Sequence, residues 1–338
     1  MKKRIISLAA AAVFVIGTLA GCGNSSTQTT DKTASSDASS SGGDLVTVRD
    51  AVMTGQLDQY ATEIGLWQGI FEKYGIDLQT TEFVAGINTI DAVVNGTADI
   101  GMMADYAAVN RLGNTLDATN LQIFSQISGG QAALSGGLYV DPKYADDPKS
   151  LDGSAGFMYQ EGTVTYYYAS KCIEYLGLDE SKQNLINTDS SQTRLALIQK
   201  GGASAVYANG SEAKYIEEAG WVQVATSQEI GIQTGSYFLS TDKYISENTD
   251  TLAKFLQAVD ESTQYINDHL DESAEYLADK LGLKAEDFKE NWKNYSFEPG
   301  FSEEATTHLE DIEKWGFEHG SFPKDYNVCD FINTDVAK

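Results

Sequence analysis

The chain has 338 residues, and its 23 Lys and Arg against 49 Asp and Glu give a formal net charge of −26. Residues 1–21 hold three basic and no acidic residues, so the remainder carries 20 − 49 = −29. Proteins bind nucleic acid through Lys and Arg that neutralise phosphates, so this charge excludes a nucleic-acid binder and attachment to anionic lipid through a basic face. A hydrophobic share of 42% with 10% aromatic residues excludes a disordered chain. At about 150 residues per domain, the length predicts two domains.

The N-terminus predicts a lipoprotein signal peptide. Residues 2–4 are basic and residues 5–20 are apolar, which is shorter than the roughly 20 residues that cross a bilayer as a helix. Residues 19–22 read Leu-Ala-Gly-Cys and resemble the bacterial lipobox, whose cysteine thiol receives a diacylglycerol. We expect removal of residues 1–21 and lipidation of Cys22, with an ordinary secretory signal as the alternative. The protein would then be extracytoplasmic, and its lipid would anchor it to the outer face of the cell membrane.

Residues 22–43 form a predicted tether. Of residues 23–43, 14 of 21 are Ser, Thr or Gly, a composition that cannot bury enough apolar surface to offset its ordering entropy. The tether would hold the folded part away from the membrane. The other two cysteines, Cys172 and Cys329, are far apart in sequence, and both a single disulfide and two separate thiols fit the pattern.

Strand and helix signals alternate after the tether. Apolar residues at helical spacing, such as Ile64, Trp67 and Phe71, indicate helices, and glycines indicate where they end. Three β–α units in about 70 residues predict a parallel sheet with helices on both faces. In chain order we expect a strand at 45–48, a helix at 59–74, a strand at 76–78, a helix from 86 to 96, a strand at 98–102 and a helix at 105–112.

A second series of the same kind begins after the loop at 142–148, and the pattern becomes helical beyond Thr249. The expected strands are 154–159, 185–187, 204–207 and 221–225, and the expected helices are 163–176, 191–200, 211–219, 250–268, 271–281, 285–292 and 303–318. Two α/β halves of similar size suit a hinged receptor with two lobes. Segments 119–128 and about 232–240 are apolar and extended, and we expect them to cross between the lobes. Lobe one would hold residues 44–128 and about 236–338, and lobe two residues 129–235.

Catalytic chemistry has little support in the sequence. His269, His308 and His319 lie in the helical tail without a second ligand at metal-binding spacing, so each is interpreted as a surface helix residue and no metal or cofactor is expected. The chain has no G-x-S-x-G elbow, no Walker A loop and no G-x-G-x-x-G after a strand. Carboxylates are so numerous that no pair is selected. We therefore expect a binding protein, with an extracellular carboxylate-dependent hydrolase as the alternative.

Loops at the carboxyl ends of the predicted strands form the expected binding site. In open α/β sheets, ligands bind at these ends, where helix N-termini present unpaired N–H groups. The loops are rich in small, amide and aromatic residues, which suits a small polar ligand. The expected ligand contacts are Gln56, Asp58, Asn88, Asp105 and Tyr106 from lobe one, and Gly162, Thr163, Thr165, Tyr166 and Asn209 from lobe two.

Several of these residues have a structural alternative. Thr163 after Gly162 could be only a helix N-cap, and Asp58 could cap the helix that starts near residue 59. Tyr166 could lie in the core or on the surface. Asp105 is the most diagnostic contact, because a carboxylate facing the cleft would favour a cationic or hydrogen-donating ligand.

Motifs across residues 45–270 resemble a known family. Residues 65–78 contain a helix ending in Phe-Glu-Lys-Tyr-Gly-Ile, and residues 94–101 read Val-Asn-Gly-Thr-Ala-Asp-Ile-Gly. The second half continues with Ser-Leu-Asp-Gly at 150–153 and Leu-Gly-Leu at 176–178. This pattern is similar to the nitrate/sulfonate/taurine-type substrate-binding proteins of ABC importers, a group that includes binders of thiamine-pyrimidine precursors. The resemblance implies a class II periplasmic-binding-protein fold, a monomer that binds a small molecule in a hinged cleft, and delivery to ABC permease and ATPase subunits.

The chain departs from this family at two places. Where sulfonate-like binders often have Ser-Thr-Thr-His-Tyr, residues 163–167 read Thr-Val-Thr-Tyr-Tyr, so one hydroxyl and the imidazole are missing. The usual G-x-v-D-A appears as Gly-Ala-Ser-Ala at 202–205. Loss of a hydroxyl donor weakens an anion site, since charge-assisted hydrogen bonds are strong. A nitrogenous or aromatic heterocyclic solute is therefore slightly favoured over a sulfonate.

Overall fold

The computed structural model describes residues 45–116, 118, 120–130, 136–151, 156–293 and 295–337. The expected signal peptide, Cys22 and the tether lie outside these residues. No described helix is long and apolar enough to cross a bilayer.

Two five-stranded sheets organise the fold. The strands are β1 Val46–Met53, β2 Ile76–Phe83, β3 Ile100–Ala104, β4 Leu121–Gly130, β5 Gly136–Val140, β6 Gly156–Tyr159, β7 Asn184–Asn187, β8 Ala205–Asn209, β9 Val222–Thr226 and β10 Thr234–Thr241. Sheet one has the order β2-β1-β3-β10-β4, and sheet two has the order β7-β6-β8-β5-β9. Each sheet with the helices packed on it is called a lobe, numbered as its sheet.

Twelve α-helices connect and cover the strands in the described part of the chain. They are α1 Leu57–Trp67, α2 Ile70–Lys73, α3 Gly86–Val94, α4 Asp105–Thr115, α5 Val164–Tyr175, α6 Ser191–Gln199, α7 Gly210–Glu218, α8 Ser227–Ile230, α9 Asp242–Asp268, α10 Leu270–Leu281, α11 Ala285–Trp292 and α12 Glu303–Glu318. The expected α/β alternation and the helical tail are both present.

Four of the five strands in each sheet run in one direction. In sheet one, β1 is parallel to β2 and β3, whereas β10 is antiparallel to both β3 and β4. Sheet two has the same arrangement, with β5 as the antiparallel strand between β8 and β9. The mostly parallel, two-lobed α/β architecture expected from the sequence is confirmed. The carboxyl ends of the parallel strands therefore form one edge of each sheet, which is the edge where ligands bind in such folds.

The two segments expected to cross between the lobes are β4 and β10. They pair with each other in sheet one, and Thr234 at the start of β10 lies opposite Gly130 at the end of β4. The chain therefore leaves and re-enters sheet one at the same edge. It passes to sheet two beyond the ends of these strands.

Apolar side chains pack on both faces of each sheet. One cluster lies between sheet one and helices α1 and α9, and it includes Phe238, Phe124 and Leu57. Gly65 lets α1 approach α9 closely, because an added Cβ would collide with the Phe71 ring and the Ser262 hydroxyl. A second cluster on the other face of sheet one continues into lobe two and includes residues of α4, α5 and α12. A smaller cluster covers the other face of sheet two.

Among the local differences from the expectations, three have a clear physical reason. The helix expected at 59–74 is two helices, because Gly69 adopts a left-handed φ of 67° between them. β5 is absent from the expected elements, because its first two residues are glycines, which give no strand signal. It is held in the sheet by its pairing with β8 and β9. α9 starts earlier than expected, and the non-helical Asn248 marks a kink close to the expected start at 250.

Candidate functional site

A cavity of about 610 Å³ lies between α4 of lobe one and the N-terminus of α5 in lobe two. Four expected ligand contacts line it from both sides, namely Asp105, Tyr106, Gly162 and Thr163. Thr234 also lines it, at the start of β10. We call it the cleft cavity. Its position at the strand ends of both lobes is the one expected for a ligand site in an α/β fold.

A smaller cavity of about 300 Å³ adjoins the cleft cavity at the edge of sheet one. The two share Ala104 and Thr234, and the expected contact Gln56 lines the smaller one together with Ser128 at the end of β4. We call it the edge cavity. The two cavities bring together groups that follow β1 and β3 with groups near the end of β4 and at the start of β10.

The rim from lobe two is built by a helix cap. The Thr163 Oγ1 accepts a hydrogen bond from the Thr165 amide at 3.3 Å and donates to the Gln160 carbonyl at 2.8 Å. The Thr165 Oγ1 in turn accepts from the Gln160 amide at 2.8 Å. Thr163 is therefore the N-cap of α5 and also a cavity-lining residue, whereas the Thr165 hydroxyl holds the loop in place. Gly162, with a φ of 74°, supplies the left-handed turn before the cap.

The Asp105 carboxylate is engaged by the protein itself. Asp105 is only 2% exposed, and its Oδ2 accepts a hydrogen bond from the Gly235 amide at 2.8 Å and lies 2.7 Å from His308 Nε2. Its Oδ1 accepts from the Tyr106 amide at 2.7 Å. Asp105 thus ties α4 to β10 and α12 in the wall of the cleft cavity.

His308 differs from its interpretation as a surface helix residue. It is 7% exposed, because the face of α12 that carries it packs against lobe one and brings its ring to Asp105. His319 is half-buried and stacks on Trp315 at 4.2 Å between ring centres. His269 is exposed, as expected.

Asp58 lies in the core of lobe one. It is fully buried, and its Oδ2 accepts a hydrogen bond from the Met53 amide at 3.0 Å. Burial raises the pKa of Asp58 to about 7. Burial, followed by the nearby Asp58 charge, raises the pKa of the neighbouring Asp50 well above its ordinary value. The two carboxyl groups lie near the end of β1, where each can hold a proton, and neither lines the cleft cavity or the edge cavity.

Tyr166 lies in an aromatic cluster between lobe two and α12. Its ring centre is 4.5 Å from that of Tyr159, 5.0 Å from that of Trp315 and 5.6 Å from that of His319. Since α12 also packs on α4 and β4 of lobe one, this cluster joins the lobes beside the cleft. Asn88 and Asn209 are exposed after β2 and at the end of β8, and neither is among the residues that line the two cavities.

Further cavity residues escaped sequence reasoning. Asn110, Arg111 and Asn114 line the cleft cavity from one face of α4, and Asn291 and Tyr295 of the helical tail line the edge cavity. The spacing of Asn110 and Asn114 on a helix that starts at the strand end could have revealed them. No local signal could have placed Asn291 and Tyr295 there, because their approach depends on the packing of α11.

Arg111 supplies the one cationic group in the lining of these two cavities among the described residues. Its Nη2 donates to Asp91 Oδ1 at 2.8 Å, while its Nε is buried without a hydrogen-bond partner. Apart from the Asp105 carboxylate, the rest of the lining is hydroxyl, amide, aromatic and apolar. Such a site can bind a small polar molecule that offers at least one hydrogen-bond acceptor.

The NMT1/THI5-like family model matches residues 64–273 of the chain. This range contains most of the motifs that carry the resemblance found in the sequence, and that resemblance is confirmed. No curated protein sequence matches the chain.

Solved structures share the fold at low sequence identity. The periplasmic aliphatic sulphonate binding protein SsuA from Escherichia coli has a TM-score of 0.70 at 16% identity, over 86% of this chain and 98% of that one. The alkanesulfonate-binding protein SsuA from Xanthomonas axonopodis pv. citri, bound to MOPS, has a TM-score of 0.62 at 14% identity, over 86% and 99%. The periplasmic nitrate-binding protein NrtA from Synechocystis PCC 6803 has a TM-score of 0.58 at 15% identity, over 86% and 87%.

Proposed function

The chain belongs to the NMT1/THI5-like family, and on that premise we propose that it is the extracytoplasmic solute-binding lipoprotein of an ABC importer. It captures a small polar solute between its lobes and delivers it to the permease and ATPase subunits. It acts as a monomer held at the membrane by the lipid on Cys22. The similar fold of sulfonate- and nitrate-binding proteins supports this assignment.

The cleft cavity carries the proposal. A ligand that contacts Tyr106 on one side and Thr163 on the other touches both lobes at once. Such a ligand has higher affinity for the closed state than for an open one, and this difference in affinity favours closure. The permease then needs to recognise only the closed shape.

The cavity lining favours binding over catalysis. Among the described residues, the cleft and edge cavities are lined by neither His nor Cys, and the one carboxylate, Asp105, already accepts hydrogen bonds from Gly235 and Tyr106. A carboxylate-dependent hydrolase needs two carboxyl groups facing its substrate. Recovery of the ligand unchanged after denaturation of the complex distinguishes the receptor from an enzyme.

The ligand belongs to the nitrate/sulfonate/taurine class or to the pyrimidine and nitrogenous-heterocycle class. Arg111 Nε, buried without a partner, supports a ligand with an acceptor atom, which both classes offer. The Tyr106 ring and the apolar Ile87 and Val164 side chains support a ligand that also has an apolar or aromatic body. Gln56, Tyr106, Gly162 and Thr163 are the proposed contacts among the expected residues, with Arg111 and Asn110 added.

We expect a cleft ligand to raise the melting temperature of the mature protein, and the Thr163→Ala variant to bind it about tenfold more weakly. The reason is that Thr163 lines the cavity and orders the α5 N-terminus. The mature chain with Cys22→Ser is screened by thermal shift with taurine, alkanesulfonates, nitrate and aminopyrimidines. Titration calorimetry then gives the affinity of the best compound.

Ser190→Ala is the matched control for this experiment. Ser190 caps α6 through the Thr193 amide at 3.2 Å and does not line the cleft cavity. Each cap substitution costs about 1 kcal/mol of stability, so the two variants differ mainly in their distance from the ligand. Equal affinities of the two variants would place the ligand elsewhere.

Cys22→Ser is expected to release the protein from the membrane into the medium or the periplasm. The lipid on Cys22 would be its membrane anchor, since acyl chains contribute about 0.8 kcal/mol per buried methylene. Fractionation of cells that express each form measures the membrane-bound share. Unchanged retention of the serine variant would contradict the anchor.

A further inference from the structure

A third cavity, of about 150 Å³, lies where the N-terminal half of α12 meets β4 and β10. Its lining includes Gln126, Tyr237, Glu298, Glu304 and His308, and it shares only Thr234 with the cleft cavity. We call it the α12 cavity. A wider surface depression of about 560 Å³ shares Gln233, Ser302, Glu304 and His308 with it and forms its entrance.

The hydroxyl of Tyr237 is the first sign of a ligand. Tyr237 is 0% exposed and lines the α12 cavity, and its hydroxyl oxygen is buried without a hydrogen-bond partner. A buried hydroxyl without a partner costs about 1 to 3 kcal/mol. The hydroxyl is the one polar atom of this side chain, so a bound molecule in the cavity can supply the missing partner.

His308 is a second buried polar residue in the lining of the same cavity. Its Nε2 lies 2.7 Å from Asp105 Oδ2, and this contact fixes the orientation of the ring in the cavity wall.

The charge around the α12 cavity selects a cation. Glu298 and Glu304 line the cavity, and Glu303 and Asp311 line the entrance. The one cationic side chain of the described lining, Lys171, lies at the entrance with its Nζ 3.3 Å from a Glu174 carboxylate oxygen. The positive end of the α12 dipole opposes a cation, and the two glutamates in its first turn offset it.

The buried Tyr237 hydroxyl oxygen and the Glu298 and Glu304 carboxylates of the lining fit an occupant with N–H donors and a positive charge. A metal ion fits less well, since no group of three or more His, Cys, Asp or Glu side chains in the described residues could hold one. We propose that the α12 cavity is a second binding site, separate from the cleft, which takes a small organic ammonium ion such as a primary amine.

Methylammonium chloride is the probe. It is titrated into the full mature chain and followed by amide chemical shifts, with sodium chloride and tetramethylammonium chloride at equal ionic strength as controls. We expect saturable shifts on β10 and α12 with a Kd of about 1 mM for methylammonium, and no saturation with the controls. Tetramethylammonium carries the charge but no N–H donor, so equal binding of it would overturn the proposal.

Three variants locate the probe. Tyr237→Phe removes an unpartnered hydroxyl without disturbing a protein hydrogen bond, so the variant folds, and it should weaken methylammonium binding about fivefold or more. Glu304→Gln should do the same, while Glu318→Gln, an equal change of charge at the other end of α12, should change the Kd less than about twofold. Unchanged binding by Tyr237→Phe would overturn the proposal.

A fourth variant separates this site from the cleft. Thr163→Ala changes the cleft cavity only and should leave methylammonium binding unchanged. Loss of methylammonium binding in Thr163→Ala would place the amine in the cleft and overturn the second site while leaving the proposed function in place. Saturable binding of Zn²⁺ but not of methylammonium would overturn it as well.

Discussion

Replacing Asp105 with alanine is expected to lower the free energy of unfolding by about 3 kcal/mol or more. The carboxylate accepts hydrogen bonds from the amides of Gly235 and Tyr106 and faces His308 Nε2. These groups are buried, so the alanine variant leaves their N–H donors without an acceptor. Urea denaturation followed by circular dichroism measures the loss, with the midpoint and the slope fitted separately.

Two further variants test this prediction. Asp105→Asn keeps one acceptor oxygen and should cost less than the alanine variant. Asp250→Ala removes an exposed carboxylate on α9 and should change stability by less than about 0.5 kcal/mol. If Asp105→Ala unfolds at the same urea concentration as the unchanged protein, the carboxylate does not hold the lobe together. Equal ligand affinity of Asp105→Asn and the unchanged protein would show that Asp105 is not a ligand contact.

Raising the pH from about 4 to about 7 is expected to destabilise the protein through Asp58, and Asp58→Asn should remove that loss. Burial raises the pKa of Asp58 to about 7 in the folded state, whereas its ordinary pKa is 3.8. Between these two values the folded protein holds a proton that the unfolded chain releases, so stability falls as pH rises, by at most about 1.4 kcal/mol per pH unit. Above the folded pKa the loss is complete.

The difference in unfolding free energy between Asp58→Asn and the unchanged protein is the quantity to measure. It should grow in favour of the variant from pH 4 to pH 7 and then level off, at a total on the order of 4 kcal/mol. Asparagine keeps an oxygen that can accept from the Met53 amide. Asp268→Asn, an exposed control on α9, should show no such growth. A difference that is constant with pH would contradict a protonated Asp58 in the fold.

Sequence patterns were sufficient to predict those features that depend on neighbouring residues in the chain. Apolar spacing located nearly all the helices and strands, because an amphipathic helix or a buried strand carries its own periodicity. Because α/β folds bind ligands at strand ends, the sequence predicts ligand contacts such as Gln56, Tyr106 and Thr163. All three line the cleft or the edge cavity. β5 was not found, because its two opening glycines give no strand signal and its partners lie far away in the chain.

The roles of buried polar residues could not be predicted in the same way. Asp58 and Asp105 both follow a strand end, yet Asp58 lies in the core of lobe one and Asp105 lies in the wall of the cleft cavity. The groups that contact each carboxylate account for this difference in position. His308 is 203 residues from Asp105 in sequence and Gly235 is 130 residues from it, so no local pattern reports their contact.

Local sequence patterns were enough to predict the two α/β halves, the helical tail, the family and the sheet edge at which a ligand is expected. These depend on hydrophobic periodicity, glycine positions and motifs that stand within a few tens of residues of one another. Tertiary packing alone sets which side chains line a cavity and which are already hydrogen-bonded within the protein. That outcome depends on how α11 packs on α10 and how α12 packs on α4, α5 and β4, and such packing is set by long-range contacts rather than by local spacing.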